Sequence, residues 1–404
     1  MAAAMLLAVA ALAAAGSPDA VAAGSGPGSQ TGDSQRVTRV DDGAALSGAG
    51  GPGRVDPAGV AGFHVLWGVA AITRKDAVAV GEGGGDLSVR ARHWDGTGWA
   101  PTHPPGGPIS EMFGVAAISR TDVWGVGDFQ SQALANHWDG TGWTRVPTPT
   151  PDQYTRDIFH GVGGASSGDV WAVGYTESGQ TGEVTPLIEH WNGSAWTKTP
   201  YRLPYGNTYG VFDGVTALSA TDAWAVGVTY PYHAPLIEHW DGRRWTPVTG
   251  IASPTSVGID RLRAVTAVSP TDIWAVGTSG GGRRTAILHW DGRQWTQLPS
   301  PNGSGDLNQL LGVTAVSADD VWAVGTSGPF GQMTGRTLIL HWNGQRWTKV
   351  PSPNPGRTNN GLFGVSATGH SDAWAVGILS NNLEDSYVHL YLRWDGTSWT
   401  RQRA

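Results

Sequence analysis

The chain has 404 residues, among them 60 glycines, 25 prolines and no cysteine, and its formal net charge is −7. The absence of cysteine excludes thiol catalysis and cysteine-ligated metals. The acidic balance and the lack of a concentrated basic region argue against a nucleic-acid partner. Abundant glycine and proline with only 15% charged residues are typical of an all-β protein with many turns.

Residues 1–23 predict a secretory signal peptide. Met5 to Ala15 form a short apolar core, and Val21-Ala22-Ala23 supplies the small residues of a cleavage site, although the usual basic start is absent. The core is too short and too alanine-rich to span a membrane, so we expect a secreted, extracytoplasmic protein with no membrane span in the mature chain. Residues 24–60, rich in glycine, serine and proline, predict a flexible linker.

From residue 61 onwards, one sequence pattern occurs seven times. Its clearest copy contains an apolar run from Val265 to Ser269, a turn at Pro270 to Asp272, and the run Ile273 to Gly277. The aspartate before the second run recurs every 46 to 53 residues, at Asp76, Asp122, Asp169, Asp222, Asp272, Asp320 and Asp372. A fixed period of this length indicates a repeat architecture.

Each repeat predicts four short strands, named a to d. In the fifth repeat they are 265–269, 273–277, 286–290 and 295–298. Asp291-Gly292 suits a tight hairpin between c and d, and Pro299 ends strand d. Seven such units predict an all-β, seven-bladed β-propeller of four-stranded antiparallel blades. The blades span about residues 61–108, 109–155, 156–207, 208–258, 259–305, 306–357 and 358–404.

An apolar run that ends in glycine, then an aromatic residue, then a tryptophan that starts the last strand, resembles the repeat of kelch-type propellers such as the central domain of galactose oxidase. The likeness covers residues 61–404, with one glycine after Trp274-Ala-Val where kelch repeats have two. The His-Trp-Asp-Gly hairpin also resembles the Asp-box of sialidase-like propellers and the repeats of Ycf48-like assembly factors. The resemblance implies the fold. The absence of cysteine excludes the usual galactose oxidase chemistry, whose cofactor needs a cysteine crosslinked to a tyrosine.

Most repeated residues predict structure rather than chemistry. Twenty of the 21 tryptophans occupy repeat positions, so we expect them to pack between blades. The histidine of the hairpin should meet the repeat aspartate, which can accept its proton. A solvent-exposed histidine is the alternative, and a metal site is disfavoured because a blade offers no further ligands. The predicted structural residues of blade five are Asp272, Trp274, Gly277, His289, Trp290, Asp291, Gly292 and Trp295.

The first and last repeats depart from the pattern. Val78 replaces the first tryptophan in blade one, and Arg393 replaces the histidine in blade seven. Terminal repeats are commonly atypical, and these two blades must meet to close the ring. The sequence does not indicate what joins them. We expect the closed ring to be a monomer.

Function is expected where the repeats differ. The a–b and c–d turns are short and alike and share one face, the uniform face; the long, diverse b–c and d–a loops share the other, the variable face. Eight of nine tyrosines lie in these long loops. They predict a ligand-binding patch, although tyrosines that merely cover their own blades are an equally open alternative. The predicted patch consists of Tyr175, Tyr205, Tyr209, Phe212, Tyr230, Tyr232 and His233.

Three functions stay open. The favoured one is a secreted, non-catalytic propeller that binds a carbohydrate or an extracellular protein and needs no cofactor. The second is an extracellular carbohydrate-active enzyme, a hydrolase or lyase, with carboxylates at the channel mouth. The third is a Ycf48-like assembly factor, implied by the resemblance. Two carboxylates beside an arginine would favour the enzyme, and a broad aromatic patch would favour binding. The acidic candidates are Asp157, Glu177, Glu183, Asp213, Asp260, Asp306, Glu384 and Asp385.

Overall fold

The structure is a computed structural model that describes residues 64–84, 88–204, 207–251, 258–330, 335–381 and 387–403. The predicted signal peptide and linker, together with Tyr205, Glu384 and Asp385, lie outside these ranges. The described residues form seven separate four-stranded antiparallel sheets. In each sheet the strands follow one another in chain order, so the predicted seven-bladed β-propeller is confirmed.

The strands are numbered in chain order, four to a blade. The a strands, which contact one another around the axis, are β1 (His64–Thr73), β5 (Ser110–Ser119), β9 (Thr155–Ser166), β13 (Tyr209–Ser219), β17 (Ile259–Ser269), β21 (Leu307–Ser317) and β25 (Asn359–Gly369). The b strands are β2 (Asp76–Gly83), β6 (Asp122–Phe129), β10 (Asp169–Ser178), β14 (Asp222–Tyr230), β18 (Asp272–Ser279), β22 (Asp320–Gly328) and β26 (Asp372–Ser380).

The two outer strands of each blade are shorter or more exposed. The c strands are β3 (Ser88–Trp94), β7 (Gln132–Trp138), β11 (Val184–Trp191), β15 (Ala234–Trp240), β19 (Arg284–Trp290), β23 (Arg336–Trp342) and β27 (Tyr387–Trp394). The d strands are β4 (Trp99–Thr102), β8 (Trp143–Arg145), β12 (Trp196–Lys198), β16 (Trp245–Pro247), β20 (Trp295–Leu298), β24 (Trp347–Lys349) and β28 (Trp399–Gln402).

Strand a is longer than the apolar pattern predicts. In blade five, β17 begins at Ile259 and not at Val265. Asp260, Arg261 and Arg263 interrupt the apolar alternation, yet their segment still pairs with β18. The pattern fails here because this half of strand a borders the channel near the variable face, where core packing no longer selects apolar side chains.

The repeated tryptophans join neighbouring blades. Trp274 on β18 is buried, and its ring centre lies 5.1 Å from Trp342 and 5.5 Å from Trp347 of the next blade. Trp374 of blade seven meets the two equivalent tryptophans of blade one at 5.0 Å each. Each of these large apolar side chains therefore buries its surface at a blade boundary, and the last contact closes the ring.

A repeated contact between a histidine and an aspartate holds the uniform face. His289 Nε2 lies 2.9 Å from Asp272 Oδ1, and the imidazole ring lies 4.2 Å from the ring of Trp274. Six blades contain this His–Asp contact, at 2.6 to 3.0 Å. In the adjoining hairpin Gly292 has a φ of +87°, and Asp291 accepts two backbone N–H groups at 2.8 and 2.9 Å. The aspartate therefore caps the turn while glycine alone takes the left-handed conformation.

Blade seven uses a different residue at its boundary with blade one. Arg393 Nη2 donates to Asp372 of its own blade and to the carbonyl oxygen of Arg74 in blade one, both at 2.9 Å. Across the same boundary, the backbone N–H of Ala71 donates to Ser366 Oγ at 3.0 Å. The sheets of both blades contain only their own consecutive strands. Side-chain contacts, and not an exchanged strand, therefore join the described parts of these blades.

Candidate functional site

Every a strand carries a β-bulge at an equivalent position beside the channel, and β17 has a further irregularity at Asp260. In β13, Phe212 pairs with Gly227 and Gly214 pairs with Val226, so Asp213 between them has no partner on β14. A bulge leaves one residue unpaired and re-aims its side chain. The seven bulge residues are Trp67, Phe113, His160, Asp213, Arg263, Leu311 and Phe363.

The bulge explains the glycine near the end of each apolar b run. At Gly277 a Cβ atom would lie 2.0 Å from the carbonyl oxygen of Arg261 on the bulged strand. The equivalent glycines of the other blades show the same conflict at 1.9 to 2.0 Å. Because no side chain fits so close to backbone, glycine is required wherever strand a bends onto strand b.

The bulge side chains meet across blade boundaries and divide the channel into two sectors. The ring centre of Trp67 lies 4.8 Å from Phe363 and 5.8 Å from Phe113. Phe113 in turn contacts the ring of His160 at 5.5 Å. His160 Nδ1 lies 3.2 Å from Asp213 Oδ1, where charged groups begin. The aromatic sector is Phe363, Trp67 and Phe113; the polar sector is His160, Asp213 and Arg263.

Arginines of blade five surround Asp213. Arg261 donates from Nε to Oδ2 at 2.5 Å and from Nη2 to Oδ1. Arg263 Nη1 stays 3.8 Å from Oδ1, beyond hydrogen-bond distance, and its Nε is buried without a partner among the described residues. Two guanidinium groups thus share one carboxylate, which leaves an excess of positive charge beside the channel.

Burial and ion pairing determine the protonation of this group. Burial alone would raise the pKa of Asp213, but the charge of Arg261 and hydrogen bonds from His160 and Arg261 hold that pKa well below its usual range. Burial and the nearby charge of Arg261 lower the pKa of Arg263 to about 10. Asp213, Arg261 and Arg263 are therefore all charged at neutral pH, and the excess positive charge of the two arginines persists.

A second polar group lies between blades one and three. Glu111 on β5 pairs across the sheet with Asp128 on β6, and its carboxyl group is hydrogen-bonded to that of Glu82 in blade one. Arg156 of blade three donates from Nη2 to Asp128. Burial, and then the charge of neighbouring carboxyl groups, raises the pKa of both glutamates, so the pair keeps a proton near neutral pH. These residues form the carboxyl cluster: Glu82, Glu111, Asp128 and Arg156.

Two predicted tyrosines border the polar sector. The ring centre of Tyr175 lies 5.2 Å from that of His160, and burial raises the pKa of its hydroxyl to about 12. Burial also raises the pKa of Tyr230 at the end of β14, partly offset by the charge of Arg261. Both phenols remain neutral hydrogen-bonding groups in the electrostatic field of Arg261.

Tyr209, Tyr232 and His233 of the predicted patch lie along blade four with Tyr230. Tyr209 pairs with Tyr230 across β13 and β14, and its hydroxyl donates to Glu183. Tyr232 is 82% exposed, and the ring of His233 lies 5.1 Å from that of Tyr230. Blade four therefore brings four of the predicted residues to one edge, while Tyr175 lies in the neighbouring blade beside the channel.

Phe212 does not belong to a ligand-binding patch. It is wholly buried between blades three and four, where it packs with Trp171, Val215 and Trp245. The bulge re-aims only the next side chain, that of Asp213, and leaves Phe212 facing the neighbouring blade. The prediction that Phe212 contacts a ligand is therefore wrong.

Several predicted acidic candidates have structural partners. Asp157 is wholly buried and lies 2.7 Å from Lys198 Nζ. Asp260 accepts the backbone N–H of Gly282 at 3.0 Å. Of the acidic candidates that the structure describes, Asp213 is the one in the ring of bulge residues. Asp213 therefore lies beside the channel, whereas Asp157 and Asp260 stabilise their own surroundings.

Sequence reasoning missed the acids of the carboxyl cluster. Glu82 and Asp128 directly follow the glycine that the bulge requires, and Glu111 lies two residues before a bulge residue. Most other blades carry uncharged side chains at these positions, so an acid there interrupts the repeat. A comparison of repeats position by position, instead of a search among the loops, would have identified the cluster.

A polar cleft of about 440 Å³ opens on the variable face between blades two and three. Its lining includes Gln153, Gln180 and Tyr154, whose side chain is 54% exposed. Arg156 and Glu177, which are cross-strand partners on β9 and β10, also line it. Because Arg156 also binds Asp128, the cleft adjoins the carboxyl cluster.

Most His–Asp contacts of the uniform face are pairs, but Asp320 also contacts His370 of blade seven. In the part of the chain that the structure describes, no three side chains of metal-ligating type are grouped so as to hold an ion. Within the same ranges, no helix has the length and apolar character needed to cross a membrane. The candidate site is therefore the variable face: the cleft, the carboxyl cluster and the two channel sectors.

No family model matches the chain, and no curated protein matches it either. Solved structures share its fold. Ycf48 bound to a D1 peptide is 14% identical, with a TM-score of 0.51 over 83% of this chain and 94% of that one. A PL25 ulvan lyase is 9% identical, with a TM-score of 0.51 over 85% and 93%. A puromycin hydrolase mutant is 12% identical, with a TM-score of 0.51 over 83% and 54%. The likeness supports the propeller fold, and membership of the kelch group stays a prediction.

Proposed function

We propose that this protein is a binding propeller that holds a carbohydrate on its variable face, with the cleft between blades two and three as the entrance. One observation carries the proposal: a polar cleft with the exposed ring of Tyr154 adjoins, through Arg156, the charged groups of the channel. Carbohydrates require several hydrogen-bonding groups beside a flat apolar surface, and this face supplies amides, carboxyl groups and aromatic rings.

The test is binding of the purified full chain to a glycan array, followed by titration calorimetry with each bound glycan. Tyr154→Ala should weaken binding about tenfold or more through the loss of an aromatic contact. Its Tm should not change, because Tyr154 is largely exposed. Arg293→Ala, in an exposed turn of the uniform face, is the matched control and should bind normally. Full binding by a Tyr154→Ala, Tyr232→Ala double variant would contradict the assigned face.

A protein ligand is the alternative on the same face. Ycf48, which shares the fold, has been solved with a D1 peptide bound. An empty glycan array, together with a peptide ligand whose binding Tyr154→Ala abolishes, would change the ligand class from carbohydrate to protein. That outcome would favour an assembly factor.

A second candidate function is a carbohydrate-active enzyme, a hydrolase or lyase. The carboxyl cluster favours it, because Glu82, Glu111 and Asp128 lie beside Arg156, and a carboxyl group that keeps its proton near neutral pH can act as a general acid. The test is release of reducing or unsaturated ends from a panel of polysaccharides. Glu82→Gln and Glu111→Gln each remove one acid of the pair, and at least one of them should abolish release and preserve binding; normal release by both variants would contradict the assigned acid pair.

Export from the cytoplasm is part of the proposed function. The apolar segment Met5–Ala15 and the small residues up to Ala23 support it. The test is to locate the protein in the producing cell and to sequence its mature N-terminus. A start near residue 24 is expected, and a cytoplasmic protein that retains Met1 would contradict the proposal.

A further inference from the structure

We propose that the polar sector is a carboxylate-binding subsite, and that the carbohydrate held on the variable face is an acidic one, with uronic acid units. This inference rests on the proposed function and specifies the chemistry of its ligand. It starts from the unequal charges around Asp213, where two arginine side chains approach one carboxylate.

Arg263 is the group that lacks a full set of partners. Its side chain is only 14% exposed, its Nη1 is 3.8 Å from Asp213, and its buried Nε has no acceptor among the described residues. An unpaired buried charge is costly, and the planar fork of a guanidinium group matches an oxyanion that accepts two parallel N–H groups. As a bulge residue, Arg263 belongs to the ring that lines the channel. A carboxylate that enters from the variable face can therefore complete its hydrogen bonds.

Gln309 extends this donor surface into blade six. It lies two residues before the bulge residue of its strand, the place that Arg261 takes in blade five. Its side chain is 3% exposed, and Nε2 has no acceptor among the described residues. The two adjoining blades thus present unsatisfied N–H groups, which complement a ligand group that only accepts hydrogen bonds.

The carboxyl cluster, in contrast, needs hydrogen-bond donors from a ligand. Its buried atoms without a hydrogen-bond partner among the described residues are oxygens: Glu82 Oε2, Glu111 Oε2 and Asp128 Oδ1. Hydroxyl groups can donate to such atoms, so the channel complements a ligand with an acidic group on one side and hydroxyl groups on the other. The aromatic sector around Trp67 supplies the flat apolar surface that a sugar ring can cover. A uronic acid unit combines all three features.

The experiment measures calorimetric affinities of the full chain for oligomers of galacturonate, glucuronate and mannuronate, each with its uncharged methyl ester. The wild type should prefer at least one acid over its ester by about tenfold or more, as a charge-assisted hydrogen bond requires. Arg263→Leu, which introduces the residue found at Leu311, should weaken binding of the acid about tenfold or more and so abolish that preference. Arg293→Leu removes the same charge from the uniform face and should keep the preference.

The outcomes separate this inference from the proposed function. Binding of neutral glycans without any preference for acids would overturn the carboxylate subsite and leave the carbohydrate-binding function intact. An unchanged preference in Arg263→Leu would also overturn it. No binding to any glycan would overturn both. If Arg263→Leu does not fold, Arg263→Lys replaces it; this variant keeps the charge but loses the forked geometry, and a reduced preference is expected.

Discussion

Gly277 faces the carbonyl oxygen of Arg261 so closely that a Cβ atom on the glycine would lie 2.0 Å from it. Arg261 is also the residue that holds Asp213 in the polar sector. The close contact between strands a and b therefore couples the repeated glycine of strand b to the ion pair of Arg261 and Asp213 beside the channel. A change at Gly277 should displace both.

Gly277→Ala should destabilise the protein by about 3 kcal/mol or more, because the added methyl group collides with backbone that cannot move without breaking the sheet. The measurement is the free energy of unfolding in urea. Gly142→Ala is the matched control, since a Cβ atom at Gly142 would meet nothing within 4 Å. Equal stabilities of the two variants would contradict the assigned bulge geometry.

Trp274→Ala should lower the free energy of unfolding by about 3–5 kcal/mol, because it leaves a large cavity at a blade boundary. Trp274 is 1% exposed and contacts two tryptophans of blade six. Thermal unfolding measures the loss. Tyr232→Ala, at an exposed loop position, provides the comparison and should leave Tm unchanged. A Trp274→Ala protein as stable as the wild type would rule out this packing role.

Arg393→His should weaken closure of the ring by about 1–2 kcal/mol. Histidine in the other blades contacts the aspartate of its own blade, whereas Arg393 also donates to the carbonyl oxygen of Arg74 across the boundary. Hydrogen exchange should show the loss first in blades one and seven. Faster exchange in the remaining blades with no change in these two would contradict the assigned latch.

Stability should fall as the pH rises towards 8, because of a buried acid on strand c. Glu238 is fully buried, and burial raises its pKa from 4.5 to about 8. Between these values the folded state binds more protons than the unfolded state, so the free energy of unfolding decreases with rising pH.

Replacement of this acid tests the sign. Glu238→Leu introduces the residue that blades five to seven carry at the same position, Leu288, Leu340 and Leu392. It should stabilise the protein by about 2 kcal/mol at pH 8 and much less at pH 5, because it removes a charge that would otherwise be buried unpaired. Urea titrations at both pH values measure the difference. A gain that is the same at both would show that Glu238 does not titrate as assigned.

The blades could be predicted from the sequence because the contacts between them repeat. Trp274 and its equivalents meet equivalent partners at six of the seven boundaries, so their period is visible without a structure. The turn at Asp291-Gly292 is likewise a local signal that needs only adjacent residues. The features of the fold that the sequence predicts are therefore those that depend on adjacent residues or on contacts repeated at a fixed period.

The channel could not be predicted in the same way. A β-bulge breaks the alternation of two, so the pattern assigns Phe212 to the surface and gives no role to Arg263. The carboxyl cluster depends on contacts between separate blades, such as Arg156 with Asp128. A comparison of repeats shows that these acids are unusual, but which side chains meet across blades follows from ring geometry.

The bulge has a consequence for how such a channel can change. Its residue makes no ladder pair with strand b, while the glycine opposite preserves the bend whatever side chain the bulge carries. Each blade therefore contributes one side chain to the channel lining without a change in its own strand pairing; in chain order these are tryptophan, phenylalanine, histidine, aspartate, arginine, leucine and phenylalanine. A single substitution at a bulge residue can therefore change the chemistry of the channel lining while the fold of the blade stays the same.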